Sequence, residues 1–265
     1  MPRRLLLLDL DDTLLYQERV NRSILQKIGS ELLPPQRVED LVNTFCTHAR
    51  LIWEDLPLYA WTKKIGISWG EGLWGNFVGA DPNLKNLAQL AKNYRVLVWQ
   101  ETLESLGVTI SIRQAEALAQ QFKKTRENTM VLVEGALDLL AWLRPRFHLG
   151  LLTNGAPDLQ RFKIERSGLA RWFDHITISG DYGFGKPSPE IFVQARRSFG
   201  LELPCLMIGN SPSSDIQGAF NANIPSIWFD IQETNLPSHL QPVAVVTSLT
   251  EIPKVLHEIQ WVEDA

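Results

Sequence analysis

Four leucines, Leu5–Leu8, stand together near the start of the sequence with no polar residue among them. A short run that is apolar at every position, rather than at alternate ones, predicts a strand covered on both faces, as in the middle of a parallel sheet. Comparable runs follow at residues 147–153 ("FHLGLLT"), within 173–180 ("HITISG"), and at 205–210 ("CLMIGN"), 224–229 and 243–246. Helical periodicity fills the gaps between them, at residues 135–143, 156–167, 188–198 and 213–222. Strands alternating with helices of this length predict an α/β fold with a parallel sheet covered on both sides.

Between residues 16 and 127 the pattern changes. Strand-like runs become scarce and a period near 3.6 dominates. Helices are expected over residues 19–33, Val38–Glu54, 83–107 (the last with a possible break) and 112–128. A segment of this size is too long for a loop in a compact domain. It reads as a helical subdomain, residues 16–127, inserted into a core made of residues 1–15 and 128–265. The insert holds Trp53, Trp61, Trp69, Trp74 and Trp99, and its stretch "WTKKIGISWGEGLWGNFVG" mixes aromatics with glycines. Tryptophan offers both area and a donor, so these residues fit the core of a small helical domain or the lining of a substrate cavity.

Composition narrows the class. With 45% apolar and 21% charged residues, the chain has the balance of an ordinary globular protein. A net charge of -4 argues against a nucleic-acid surface, and the cluster Lys123, Lys124 and Arg126 reads as a solvated helix face. Cys46 and Cys205 lie far apart, which suggests neither a disulfide framework nor a thiolate metal site. The histidines, 48, 148, 175, 239 and 257, have no ligand spacing. The leucine run is too short for a signal-peptide core and no stretch reaches the length of a membrane span, so the expected location is the cytoplasm.

The candidate chemistry gathers where strands end. In an open parallel sheet, ligands bind beyond the carboxyl ends of the strands. There the sequence places "DLDDT" (Asp9, Asp11), "LLTNG" (Thr153, Asn154), "SGDYGFGKPSPEIF" (Lys186) and "IGNSPSSDIQGA" (Asn210, Asp215). Residues two apart on a strand point to the same side, so Asp9 and Asp11 are expected to share one. Like charges held close call for a counter-ion, and oxygen donors in this number suit Mg²⁺. Asp9, nearest the strand, can attack phosphorus and form an aspartyl-phosphate. Asp11 can protonate the leaving oxygen and then activate water. Thr153 and Asn154 can hold phosphoryl oxygens, and Lys186 can offset the negative charge. Gly183 and Gly185 permit a close approach around Lys186.

The order and spacing of these motifs resemble the haloacid dehalogenase superfamily. "DLDDTL" is similar to its first motif, Thr153 in "LLTNG" to its second, Lys186 in "GFGKPSPEIF" to its third and "GNSPSSD" (209–215) to its fourth. The resemblance implies a Rossmann-like, doubly wound parallel sheet with a helical cap inserted after the first motif. It implies a Mg²⁺-dependent phosphatase acting on a small phosphorylated metabolite. Asp9 would be the nucleophile, Asp11 the general acid and base, and Asp9, Asp11, Asn210 and Asp215 the metal ligands. Thr153, Asn154 and Lys186 would bind phosphate. The same fold carries 2-haloacid dehalogenases and phosphomutases, which stand as alternatives, although the acid at Asp11 argues against halide chemistry. The fourth motif commonly begins Gly-Asp. Here it is Gly209-Asn210, which brings an amide oxygen but no charge and leaves a weakly active or non-catalytic relative as a further alternative.

Overall fold

The computed structural model describes residues 3–231 and 235–262. The chain divides into two units. The first gathers the residues up to Tyr16, Leu132–Asn154 and the chain from Lys163 onward. The second gathers Gln17–Val131 together with Gly155–Phe162.

The first unit is built on a six-stranded sheet. Its strands are β1 (Leu5–Leu8), β2 (His148–Thr153), β3 (His175–Ile178), β4 (Cys205–Gly209), β5 (Ser226–Phe229) and β6 (Ala244–Val246). The order across the sheet is β3-β2-β1-β4-β5-β6 and every pairing is parallel. All four leucines of β1 are fully buried, with Leu8 opposite Leu151 on one side and Ile208 on the other. That is the two-faced burial a continuous apolar run predicts. On one face Leu5, Leu7, Leu152 and Met207 pack with Ile191, Phe192 and Ala195. The order reverses between β1 and β4, and such a switch point opens a crevice at the carboxyl ends of the strands.

The second unit is helical: α1 (Glu18–Leu32), α2 (Val38–Glu54), α3 (Tyr59–Ile65), α4 (Trp69–Gly72), α5 (Pro82–Ser105) and α6 (Ile112–Glu127). Helix α5 runs through all 24 residues without a break, started by Asp81, whose side chain accepts from the Asn83 amide. Capping boxes open α4 (Ser68, Glu71) and α6 (Ser111, Gln114), each meeting two backbone donors that the helix start leaves over. Of the five tryptophans Trp99 belongs to the packed interior, while Trp53 and Trp74 are buried and also line cavities of this unit. Trp53, Trp74 and Trp99 are buried, with Trp99 at 4.7 Å from Phe45 and Trp53 at 5.2 Å from Tyr94. Trp61 and Trp69 are half-buried. The Arg126 guanidinium, fully buried, lies 4.5 Å over the Trp74 ring and donates to Asn21. Helices α7 (Ala136–Leu143), α8 (Pro157–Arg166), α9 (Pro189–Arg197), α10 (Gln217–Asn221) and α11 (Ile252–Glu258) complete the chain. Among the described residues, no helix is long and apolar enough to cross a membrane.

Candidate active site

Asp9 is the first residue beyond β1, and its amide donates to the Ile208 carbonyl at 3.0 Å, so the ladder to β4 holds it at the switch point. The chain then turns sharply. The Leu10 carbonyl accepts from Leu14 and Leu15, and Asp12 adopts a left-handed backbone (φ 57°) that Asp tolerates better than most residues. This turn buries Thr13 beneath the carboxylates. Its hydroxyl lies 3.2 Å from Asp9 Oδ2 and 3.2 Å from Asn210 Oδ1, drawing those two oxygens together.

Lys186 reaches the same point from the loop after β3. Its Nζ donates to Asp9 Oδ1 at 2.5 Å and to the Leu152 carbonyl at 2.8 Å, and pairs with Asp215 Oδ1 at 2.7 Å. Asn154 fixes that loop. Its side chain accepts from the Lys186 amide and donates to the Lys186 carbonyl, both at 2.8 Å. Asp215 lies in a short π-helical turn, Pro212–Ile216, whose N-cap Ser211 takes the Ser214 amide while the Ser211 amide donates to Asp215 Oδ2. Two glycines are required by proximity. A Cβ on Gly209 would stand 2.4 Å from Asp215 Oδ2, and one on Gly185 would stand 2.4 Å from Asn154 Oδ1.

The charges in this pocket do not balance locally. Burial, and next the neighbouring Asp215, push the Asp9 carboxyl up to about 7 despite Lys186. Burial alone would lower the Lys186 ammonium, but Asp215 and Asp9 outweigh it and the group is raised. One ammonium is shared by two buried carboxylates, Asp9 and Asp215, which leaves the site short of positive charge.

Of the residues singled out in the sequence, Asp9, Lys186, Asn210 and Asp215 converge, with Thr13 between them. Thr153 ends β2, fully buried, one residue from the Lys186-bound Leu152 carbonyl. Two residues carry contacts that the sequence does not announce. The Asn154 side chain is engaged by the Lys186 backbone. Asp11 has both carboxylate oxygens on Lys163 Nζ, at 2.9 and 2.8 Å. Sequence reasoning passed over Lys163, although the signal was there. Ala156, Leu159, Gln160, Lys163 and Ile164 recur at the i, i+3, i+4, i+7, i+8 spacing of a buried helix face, and Lys163 is fully buried.

Among the described residues, no three His, Cys, Asp or Glu side chains gather as a metal cluster. The donors that do gather are two carboxylates, Asp9 and Asp215, and the Asn210 amide oxygen. Hard oxygen donors around a site lacking positive charge fit Mg²⁺.

Comparison with known proteins identifies the family and the fold. The family model of haloacid dehalogenase-like hydrolases matches residues 4–223. A phosphoserine phosphatase of Thermus thermophilus is 36% identical over 228 residues, covering 86% of this chain and 88% of that protein. The magnesium-bound HAD-hydrolase YfnB of Bacillus subtilis superposes with a TM-score of 0.67 at 22% identity, covering 97% of this chain and 99% of that one. The L-2-haloacid dehalogenase of Xanthobacter autotrophicus follows the same fold, with a TM-score of 0.60, 17% identity, and 96% and 98% coverage. The motif order, the parallel sheet with its helical insert and the extent of the family match agree, and this chain belongs to the haloacid dehalogenase-like hydrolases.

Proposed function

We propose that the protein is a Mg²⁺-dependent phosphomonoester hydrolase that acts on a small phosphorylated metabolite through Asp9. The observation that carries this reading is the placement of the Asp9 carboxylate at the sheet's switch point, oriented by Thr13 and bridged by Lys186 to Asp215. The Thermus relative, a phosphoserine phosphatase, and the magnesium bound by YfnB point the same way.

In the first half-reaction an Asp9 oxygen bonds to phosphorus while the ester P–O bond breaks, and Asp11 gives its proton to the leaving oxygen. In the second, water attacks the aspartyl-phosphate, Asp11 takes the proton back, and the Asp9 O–P bond breaks to release phosphate. Lys186 holds Asp9 in line and offsets charge on the phosphoryl oxygens, while Thr153 and Asn154 receive those oxygens. Asp9, Asn210 and Asp215 would hold Mg²⁺, which supplies positive charge against the transferring group.

The reading is tested by assaying phosphate release from a panel of phosphomonoesters. Release that depends on Mg²⁺ and stops with EDTA supports it. No turnover by folded, Mg²⁺-bound protein overturns it. Asn210 favours one second reading, displacement at carbon, which needs less metal charge. Metal-independent halide release from a 2-haloacid would establish that chemistry instead.

A further inference from the structure

Lys163 has no part in the catalytic scheme above, yet its placement is unusual. Its side chain is fully buried, while its Asp11 partner is 19% exposed. Removing an ammonium from water is costly unless a partner and good geometry compensate. Here the ammonium meets both oxygens of one carboxylate, at 2.9 and 2.8 Å. Such a grip fixes the plane of the carboxylate as well as its position.

We propose that Lys163 is a positioning residue, whose ammonium holds the Asp11 carboxyl group where it can exchange a proton with the leaving oxygen. This rests on the phosphatase reading. In the working cycle one Asp11 oxygen stays on Lys163 and the other presents its O–H to the leaving oxygen, then recovers a proton from the attacking water. Asp11 is the group that gives and takes the proton throughout, and Lys163 acts only through it.

The role predicts a signature that a tie between helix α8 and the strand end would not produce. Esters with poor leaving groups need the proton and those with good leaving groups barely do. The assay compares kcat/KM for an alkyl phosphate and for 4-nitrophenyl phosphate, in wild type, K163M, D11N and the D11N/K163M double variant. Misplacing a catalytic group by an ångström can cost about 10²-fold. K163M is therefore expected to lose about 10²-fold on the alkyl ester and only a few-fold on the nitrophenyl ester. In the D11N background, K163M should add no further selective loss. K163R, which keeps the charge and two donors, should recover most of the alkyl-ester rate. If K163M does not fold, K163Q carries the same comparison, since it lacks the charge but keeps a donor. Equal losses on both esters, or a selective loss that persists in D11N, would overturn the proposal. A wild type that turns over neither ester overturns the phosphatase reading and this inference with it, whereas an active wild type with an unchanged ratio in K163M overturns the inference alone.

Discussion

Replacing Lys186 by Met removes the cation shared by Asp9 and Asp215 and one donor to the Leu152 carbonyl. Deleting one partner of a buried ion pair costs about 3–5 kcal/mol, because it strands the other charge. The cost here depends on pH, and its sign follows from Asp9. That carboxyl titrates at about 7 in the folded protein against 3.8 for the free group. The native state therefore holds a proton that the unfolded chain has released, and this contribution to stability is lost as pH rises through 7. Without Lys186 the carboxyl is pushed higher still, and each further unit adds about 1.4 kcal/mol to the penalty on the alkaline side. Near pH ~5.5 Asp9 keeps its proton with or without the lysine, so Asp215 alone is left without its cation and the loss should be smaller. Near pH ~8.5 it should reach about 3–5 kcal/mol. Urea unfolding of wild type and K186M in EDTA, at both pH values, measures the difference. Equal losses at the two pH values, or an alkaline loss below about 1 kcal/mol, would refute the reasoning.

Three further outcomes are expected. D9N should keep the fold but fall below about a thousandth of wild-type turnover, measured as phosphate release with circular dichroism as the control. N210D should lower the Mg²⁺ concentration for half-maximal activity, because a carboxylate replaces an amide oxygen among the donors, and an unchanged activation curve would remove Asn210 from the metal shell. G209A places a methyl group 2.4 Å from Asp215 Oδ2. It should cost about 1–3 kcal/mol in urea unfolding and weaken Mg²⁺ activation, since the carboxylate must move to admit it.

The legibility of the chain in its sequence followed burial. All six strands fall where strand-like runs do, most plainly β1 and β4, which are buried at every position and carry no polar residue to blur the pattern, less so β3 and β6, which are partly exposed. Helix α2 begins and ends where its periodicity does, at Val38 and Glu54. The short helices α3 and α4 escaped because each is under three turns and lies among glycines and tryptophans, where no period can establish itself. Strand ends carrying Asp9, Thr153 and Lys186 could be read as a site because charge at the rim of a buried sheet is costly without a use. Lys163 could not be read the same way. In "QRFKIER" it looks like one charge among several on a solvated face, and only the phase of the helix puts it on the buried side. Asn154 shows the converse. Its place in the second motif suggested a phosphate ligand, and its side chain also holds the backbone of a loop 32 residues away in sequence, which no local pattern announces.

Asp9 is the residue expected to take the phosphoryl group. Wild-type protein mixed with a rapidly hydrolysed phosphomonoester and Mg²⁺, quenched in acid within the first turnovers and digested, should carry a hydroxylamine-labile phosphoryl group on the peptide containing Asp9. D9N treated in the same way should carry none. A phosphoryl group trapped on another residue, or an active enzyme from which none can be trapped while its hydrolysis is slowed at the second step by D11N, would contradict it.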